Sequence, residues 1–214
     1  MGLLRTKVVI FDLDGTLMNA YPAVYRSVNA AVTRFGYPKV SHQTIKRTVG
    51  WGDRHLLRTF IGEEKLDAAL KFYRKHHAEA LRKDTKLLPG SLKILKYLKA
   101  NGYKIAIASN RPTKFSLIAI KFLGIRGYFD MILCGDKVKK AKPAPDILKA
   151  ILKKFSLKTT EALYVGDMGI DIRTGKSARV KTVAVATGSN TPAELKAMKP
   201  FAVVRNVFTV KKFL

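Results

Sequence analysis

Residues 8–16 read VVIFDLDGT, and this stretch decides the fold that we predict. Four apolar residues, three of them β-branched, end abruptly at Asp12, as in a short strand buried within a parallel sheet. Ligands of open α/β sheets bind just beyond the carboxyl ends of such strands, where Asp12 and Asp14 lie. Side chains two residues apart on an extended segment point the same way, so both carboxylates face one crevice, where a cation would relieve their repulsion. Gly15 allows the tight turn that follows, although an ordinary acidic turn would have the same sequence.

Length and composition indicate a chain with a substantial hydrophobic core. With 214 residues and 47% hydrophobic content, it is long enough for one domain with a large insertion or for two small domains. No apolar run approaches the roughly 20 residues that span a bilayer, and the first run meets Asp12 too soon for the core of a signal peptide. The single cysteine, Cys134, excludes an internal disulfide and a cysteine cluster for zinc, and we expect it in the core. We expect a cytoplasmic protein with no membrane partner.

The charge is strongly positive, with 41 basic and 15 acidic residues and a net charge of +26. Basic residues recur at helical spacing, as at Lys149, Lys153, Lys154 and Lys158, rather than massing in one tail. This spacing favours a solvated basic surface. A focused nucleic-acid face, or a general attraction for anionic substrates, stays open as an alternative.

The hydrophobic pattern divides the chain into a helical block and an alternating region. Residues 20–84 are predicted to be wholly helical, with helices over 20–35, 41–47, 54–60 and 63–83. From residue 91 helices alternate with strands at 104–109, 131–134, 162–167, 182–185 and 202–204. We therefore predict an α/β fold: a doubly wound, parallel, Rossmann-like sheet with an all-helical cap domain inserted after the first strand. The core would comprise residues 1–18 and 87–214, and the cap would comprise residues 19–86. The linkers between them, near Asn19 and over residues 85–88, are candidate hinges.

Polar residues follow four of the predicted strands. They are Asp12 and Asp14, Ser109 and Asn110, Lys142, and Asp167 with Asp171. The carboxyl ends of parallel strands share one edge of the sheet, so these side chains are expected to converge. Each motif alone has a simpler explanation: helix-terminal acids, a solvated lysine or an ordinary turn.

Taken together and in this order, the motifs resemble those of the haloacid dehalogenase-like superfamily. The set is D-x-D-G-T, a serine after the second strand, Lys-Pro, and Gly-Asp-x-x-x-Asp. The resemblance covers nearly the whole chain and is closest to the phosphoglycolate phosphatase-like hydrolases, whose helical cap follows the first strand. The chain departs from the family at Asn19 and Ala20, which replace an acidic residue and a small hydroxyl residue, and at Met168, where Ser or Thr is common.

The resemblance implies a role for each motif residue. Asp12 would attack phosphorus and form an aspartyl-phosphate, and Asp14 would act as general acid and then as general base. Ser109 would bind a phosphoryl oxygen, and Lys142 would balance charge. Oxygen ligands suit Mg²⁺. The implied metal ligands are Asp12, Asp167, the Asp14 backbone carbonyl, and Asp171 directly or through water. Thr16 and Asn110 would support substrate binding.

The helical block offers weaker candidates for contact with the leaving group. Arg47, Trp51 and Arg54 flank the glycines at positions 50 and 52, and a loop there could cover the substrate. Trp51 would otherwise pack in a core. The four histidines of the block have no catalytic spacing and are expected to be surface or core residues; they are His42, His55, His76 and His77.

The predicted function is a Mg²⁺-dependent phosphatase acting on a small phosphorylated metabolite, with phosphoglycolate as the first substrate to try. Relatives that cleave carbon–halogen or carbon–phosphorus bonds lack an acid at the position of Asp14, which disfavours those reactions. A sugar-phosphate mutase on the same core is the nearest alternative. A basic protein that binds nucleic acid or processes its ends, and a regulator of phosphorylated proteins, are further alternatives. The sequence does not decide the oligomeric state.

Overall fold

The computed structural model describes residues 6–214, so the first five residues of the predicted core segment 1–18 lie outside the described part. The strands are β1 (Val8–Phe11), β2 (Met18–Asn19), β3 (Lys86–Leu87), β4 (Lys104–Ser109), β5 (Met131–Cys134), β6 (Ala162–Gly166), β7 (Lys181–Val185) and β8 (Ala202–Val204). The helices are α1 (Tyr21–Arg34), α2 (His42–Thr48), α3 (Asp53–Arg58), α4 (Glu63–Asp84), α5 (Ser91–Ala100), α6 (Thr113–Phe122), α7 (Asp146–Phe155), α8 (Gly169–Ala178) and α9 (Pro192–Ala197).

Six strands form one parallel sheet in the order β5-β4-β1-β6-β7-β8, with β1 near its centre. Alternate residues of β1 enter opposite hydrophobic layers, as a strand buried on both faces requires. Val9 and Phe11 pack in the layer that includes residues of α5 and α6, and Val8 and Ile10 pack in the layer that includes residues of α7. The predicted doubly wound parallel sheet is confirmed.

Helices α1 to α4 follow the first strand and bury a hydrophobic cluster of their own. Val28 of α1, Leu57 of α3 and Leu66 of α4 are fully buried in it. Ser41 caps α2, since its hydroxyl accepts a hydrogen bond from the Thr44 amide at 3.1 Å. A separate cluster fits the predicted cap, whose boundaries at 19–86 stay a prediction.

The two chain segments that join this helical block to the sheet pair with each other. Strands β2 and β3 form a short antiparallel ribbon, with Met18 opposite Leu87 and Asn19 opposite Lys86. This ribbon was not predicted, because two-residue strands are too short to show a hydrophobic period. The predicted hinges therefore lie side by side.

The remaining differences from the predicted elements are local. Helix α1 ends at Arg34, one residue before the predicted end at residue 35. A terminal 3-10 helix, Val207–Phe213, was not predicted. Cys134 is buried, as expected. In the part of the chain that the structure describes, every helix is too short or too polar to cross a membrane.

Candidate active site

The four strand-end motifs meet at one edge of the sheet. Strands β4, β1 and β6 are neighbours, so the residues at their carboxyl ends are brought side by side by the sheet order. They border a cavity of about 80 Å³ between the sheet edge and the helical block. Six predicted residues line this cavity: Asp12, Asp14, Ser109, Asn110, Lys142 and Asp171.

Three buried carboxylates form the acidic part of the site. Asp12, Asp167 and Asp171 each place one oxygen within 4.8 Å of the others. Carboxylate oxygens are hard ligands, and a compact set of three suits a divalent cation that keeps some of its waters. The residues present therefore fit a divalent metal ion.

Lys142 is the cation that the chain itself supplies to this cluster. It is 5% exposed, and its Nζ donates hydrogen bonds to Asp12 Oδ1 at 2.8 Å and to Asp171 Oδ1 at 2.7 Å. Tyr164 completes the arrangement, accepting from Nζ at 3.1 Å and donating to Asp171 Oδ1 at 2.6 Å. Burial alone would lower the pKa of Lys142, but the two carboxylates outweigh it and hold that pKa well above its usual value. Lys142 therefore stays protonated.

One lysine does not neutralise three carboxylates. Burial raises the pKa of Asp12 to about 6, although Lys142 opposes the shift. Burial, followed by the charges of Asp171 and Asp12, raises the pKa of Asp167 well above its usual value. Burial is the larger cause of both shifts, and the neighbouring carboxylates add to it; a second cation would relieve their repulsion.

Two glycines and the hydroxyls of Thr16 and Tyr21 surround the Asp167 carboxylate. Thr16 Oγ1 donates to Asp167 Oδ1 at 2.8 Å, so Thr16 orients a carboxylate and does not line the cavity. A Cβ atom at Gly15 or Gly188 would come within 2.3 Å or 1.5 Å of Asp167 Oδ2, and Gly15 also has a φ of +82°. Only glycine leaves room for the carboxylate at these two positions.

Asp14 is held by Arg111, a residue not predicted to belong to the site. Arg111 Nε and Nη2 donate to the two Asp14 oxygens at 2.7 Å and 2.6 Å, and its Nη1 lies 2.8 Å from His77 Nε2. Arg111 directly follows the Ser109-Asn110 motif at a strand end, a position that could have drawn attention to it. His77 follows Tyr73 by four residues on the buried face of α4, and this spacing was the available signal.

Asn110 joins the cavity loops rather than pointing into free space. Its side-chain amide donates to the Gly50 carbonyl at 2.8 Å and to the Lys142 carbonyl at 3.1 Å, and its Oδ1 accepts from the Lys142 amide at 2.9 Å. These bonds tie the loop that carries Lys142 to the glycine break between α2 and α3. Substrate binding by Asn110 stays a prediction.

The structure places the three predicted cap residues outside the cavity lining. Arg47 lies on the surface and pairs with Glu194 of α9 at 3.0 Å, and Arg54 pairs with Asp67 of α4. Trp51 is 46% exposed, and the guanidinium of Arg173 lies 5.7 Å from its ring centroid. Trp51 is therefore not a core residue, and it does not line this cavity; its contact with substrate stays a prediction. The block instead contributes apolar side chains to the lining, among them Val24, Val49 and Leu56.

Comparison with known proteins identifies the family of this chain. The model of the haloacid dehalogenase-like hydrolase family matches residues 9–185. Phosphoglycolate phosphatase 1 of Pseudomonas aeruginosa is 30% identical over 210 residues, which cover 94% of this chain and 77% of that protein. Phosphoglycolate phosphatase of Aquifex aeolicus is 30% identical over 182 residues, 85% of each chain.

A solved structure agrees over the whole fold. The crystal structure of a predicted phosphoglycolate phosphatase from Haemophilus somnus 129PT superposes with a TM-score of 0.94 at 27% identity, covering 99% of both chains. The matched range, residues 9–185, contains the strand-end motifs and the carboxylate cluster. The chain belongs to the haloacid dehalogenase-like hydrolase family.

Proposed function

We propose that this protein is a Mg²⁺-dependent phosphatase that hydrolyses a small phosphorylated metabolite through an aspartyl-phosphate. One observation carries the proposal: a buried lysine bridges Asp12 and Asp171 beside Asp167, at the sheet edge where the ligands of this fold class bind. The relatives named phosphoglycolate phosphatases support the reaction type and make phosphoglycolate the first substrate to test.

In the proposed reaction Asp12 is the nucleophile. A carboxylate oxygen of Asp12 bonds to phosphorus while the bond from phosphorus to the ester oxygen breaks, and Asp14 gives a proton to that oxygen. The alcohol leaves. Water then attacks the aspartyl-phosphate, Asp14 takes its proton, and phosphate and free Asp12 are regenerated. Lys142 offsets the charge of the phosphoryl oxygens, and Ser109 donates a hydrogen bond to one of them.

Asp12, Asp167 and Asp171 would hold the metal ion, which when bound would neutralise charge on the phosphoryl oxygens. Mg²⁺ is proposed because every available ligand is an oxygen atom. The apolar lining from α1 and α3 would keep bulk water from the reacting centre. Movement about the β2–β3 ribbon is the proposed route for substrate entry.

The test is phosphate release from phosphoglycolate and from a panel of phosphorylated metabolites by purified protein, with Mg²⁺ or with EDTA. Asp12→Asn is expected to reduce turnover by at least about 10³-fold while preserving the fold, because the neutral amide is a poor nucleophile. Glu79→Asn, at an exposed position on α4, is the control and is expected to change nothing. Unimpaired turnover by Asp12→Asn would contradict the mechanism. Isomerisation of a sugar phosphate without phosphate release would favour the mutase alternative.

A further inference from the structure

Arg111 occupies a position that the proposed chemistry does not explain. Its side chain is only 8% exposed, yet it lines the cavity beside Tyr73, Phe115 and Leu56. Its one anionic partner in the described residues is Asp14, which it binds through two parallel hydrogen bonds. The charge in this part of the cavity is therefore balanced only while Asp14 stays on the guanidinium.

The helical block holds the arginine in place through a neutral histidine. The Ser27 hydroxyl donates its proton to the Ala23 carbonyl at 2.7 Å, so it accepts from His77 Nδ1 at 3.2 Å. This leaves His77 Nε2 without a proton, free to accept from Arg111 Nη1 at 2.8 Å. Burial and the neighbouring Arg111 both lower the pKa of His77 well below its usual value, consistent with a neutral ring. The orientation of the Arg111 guanidinium group is therefore fixed by Asp14 on one side and by His77 on the other.

Catalysis by Asp14 conflicts with this pairing. Asp14 must release the arginine to reach the ester oxygen, and release would leave a buried guanidinium without an anion, which is costly. A planar carboxylate on the substrate would remove the conflict, because it can accept the same two parallel hydrogen bonds from the guanidinium that Asp14 accepts. The cavity of about 80 Å³ lies far below the roughly 300–1,000 Å³ of drug-sized ligand pockets, so this carboxylate must sit close to the phosphoryl group.

We propose that Arg111 is a positioning and specificity-determining residue: it holds Asp14 until a carboxylate of the substrate replaces Asp14 on its guanidinium. The inference rests on the proposed phosphatase function and deepens it, since it restricts the substrate to small phosphomonoesters that carry a carboxylate. Neutral esters of the same size leave Asp14 bound to the arginine and turn over slowly. His77 acts only through Arg111.

Binding without turnover tests the specificity. Titration calorimetry with Mg²⁺ present would compare 3-phosphonopropionate, which carries a carboxylate and is not hydrolysed, with propylphosphonate, which lacks it. Wild-type protein is expected to bind the first at least about 30-fold more tightly, as for a buried, hydrogen-bonded charge pair. Arg111→Met is expected to lose this preference, whereas Arg205→Met, a change at an exposed arginine, keeps it. Equal affinities in wild-type protein, or a preference that survives Arg111→Met, would overturn the proposal.

Steady-state kinetics test the positioning role. Arg111→Met is expected to lower kcat/KM for phosphoglycolate by at least about 30-fold. It is also expected to raise kcat for ethyl phosphate several-fold, because Asp14 is no longer held. A merely structural arginine would lower both rates in parallel, and that result would contradict the positioning role. Arg111→Lys, which keeps the charge but not the fork, is the second variant and is expected to lose most of the preference.

The two proposals fail in different ways. If neither ester is hydrolysed but the phosphonate preference and its dependence on Arg111 persist, the phosphatase proposal is wrong and the carboxylate site stands. If phosphate is released but carboxylated and neutral ligands are treated alike, the phosphatase proposal stands and the role of Arg111 is wrong.

Discussion

At the scale of single residues, the site is organised around surplus negative charge. Asp12, Asp167 and Asp171 are buried together, and Lys142 compensates only part of their charge. Functional sites commonly retain such unfavourable arrangements, because ligand binding offsets their free-energy cost. The free energy of unfolding of the metal-free protein should therefore respond to the loss of any one carboxylate.

Asp167→Asn is expected to stabilise the protein in EDTA, by on the order of 1 kcal/mol. The raised pKa of Asp167 means that its ionisation at neutral pH opposes folding, so the gain is expected to grow as pH rises. The amide oxygen can still accept the Thr16 hydrogen bond. Urea unfolding with EDTA and with Mg²⁺ measures both this gain and the expected loss of stabilisation by Mg²⁺. Glu79→Gln, at an exposed position on α4, is the control. A clear destabilisation by Asp167→Asn in EDTA would be inconsistent with charge repulsion.

Gly188→Ala is expected to displace the Asp167 carboxylate, since the new methyl group would lie 1.5 Å from Oδ2. Overpacking of this kind costs about 1–3 kcal/mol of stability, and Mg²⁺ affinity should fall at least tenfold. Calorimetric Mg²⁺ titration and urea unfolding provide the two measurements. The matched control is Gly127→Ala, where a Cβ atom has no heavy atom within 4 Å. Unchanged Mg²⁺ affinity in Gly188→Ala would show that Asp167 does not need this space.

At the scale of elements, contacts between loops and helix ends set the position of the helical block. Asn110 bonds the Gly50 carbonyl, and Arg47 of α2 pairs with Glu194 of α9. Glu194 also accepts a hydrogen bond from the Thr191 amide at 2.7 Å, which completes the capping box at the start of α9. One carboxylate therefore serves both a helix end and a contact between the block and the sheet.

This double role gives a pH-dependent stability. The hydrogen bond from Thr191, followed by that from Arg47, lowers the pKa of Glu194 from 4.5 to about 2. Because the folded-state pKa is lowered, the stabilisation is present above pH 4.5 and is lost as pH falls from 4.5 towards 2. Glu194→Gln is expected to be less stable than wild type at pH 7, with a difference that shrinks below pH 4.5. Urea unfolding across this range measures it, with Glu79→Gln at an exposed position as control. A difference independent of pH would mean that the charge of Glu194 is not responsible.

At the scale of the whole molecule, the net charge of +26 is the feature without a local explanation. Cations occur along the helices rather than in one tail, so they create a general positive potential. Such a field raises the rate at which anionic substrates reach a cleft, and salt screens it. Recognition of nucleic acid would instead show as salt-dependent affinity for DNA or RNA.

Ionic strength separates these two explanations. If the charge steers substrate, raising monovalent salt from about 20 to 300 mM is expected to lower kcat/KM about tenfold, with a smaller change in kcat. The control is the same series on ethyl phosphate and on phosphoglycolate, since the more highly charged ester should respond more strongly. Fluorescence anisotropy with labelled DNA and RNA at 150 mM salt tests the alternative. Tight binding that survives Asp12→Asn, together with salt-independent kcat/KM, would favour the nucleic-acid hypothesis.

The sequence by itself determined that the chain forms a parallel sheet and in what succession helices and strands follow along the chain. It also determined that Asp12, Ser109, Lys142 and Asp167 converge. Hydrophobic period is a local property, and parallel strands with right-handed crossovers bring their carboxyl ends to one edge wherever they lie in the sheet. The pairing of β2 with β3 could not be predicted from the sequence, because two residues are too few to show a hydrophobic period.

Only the tertiary structure decided which side chains of the helical block meet the cavity. Arg47, Trp51 and Arg54 were predicted from their chemistry and position, but they lie outside the cavity lining, and His77 contacts Arg111 instead. That orientation depends on how two separately packed clusters rest on each other across the β2–β3 ribbon. Local spacing records which face of a helix is apolar, but it does not record which part of another cluster that face will meet.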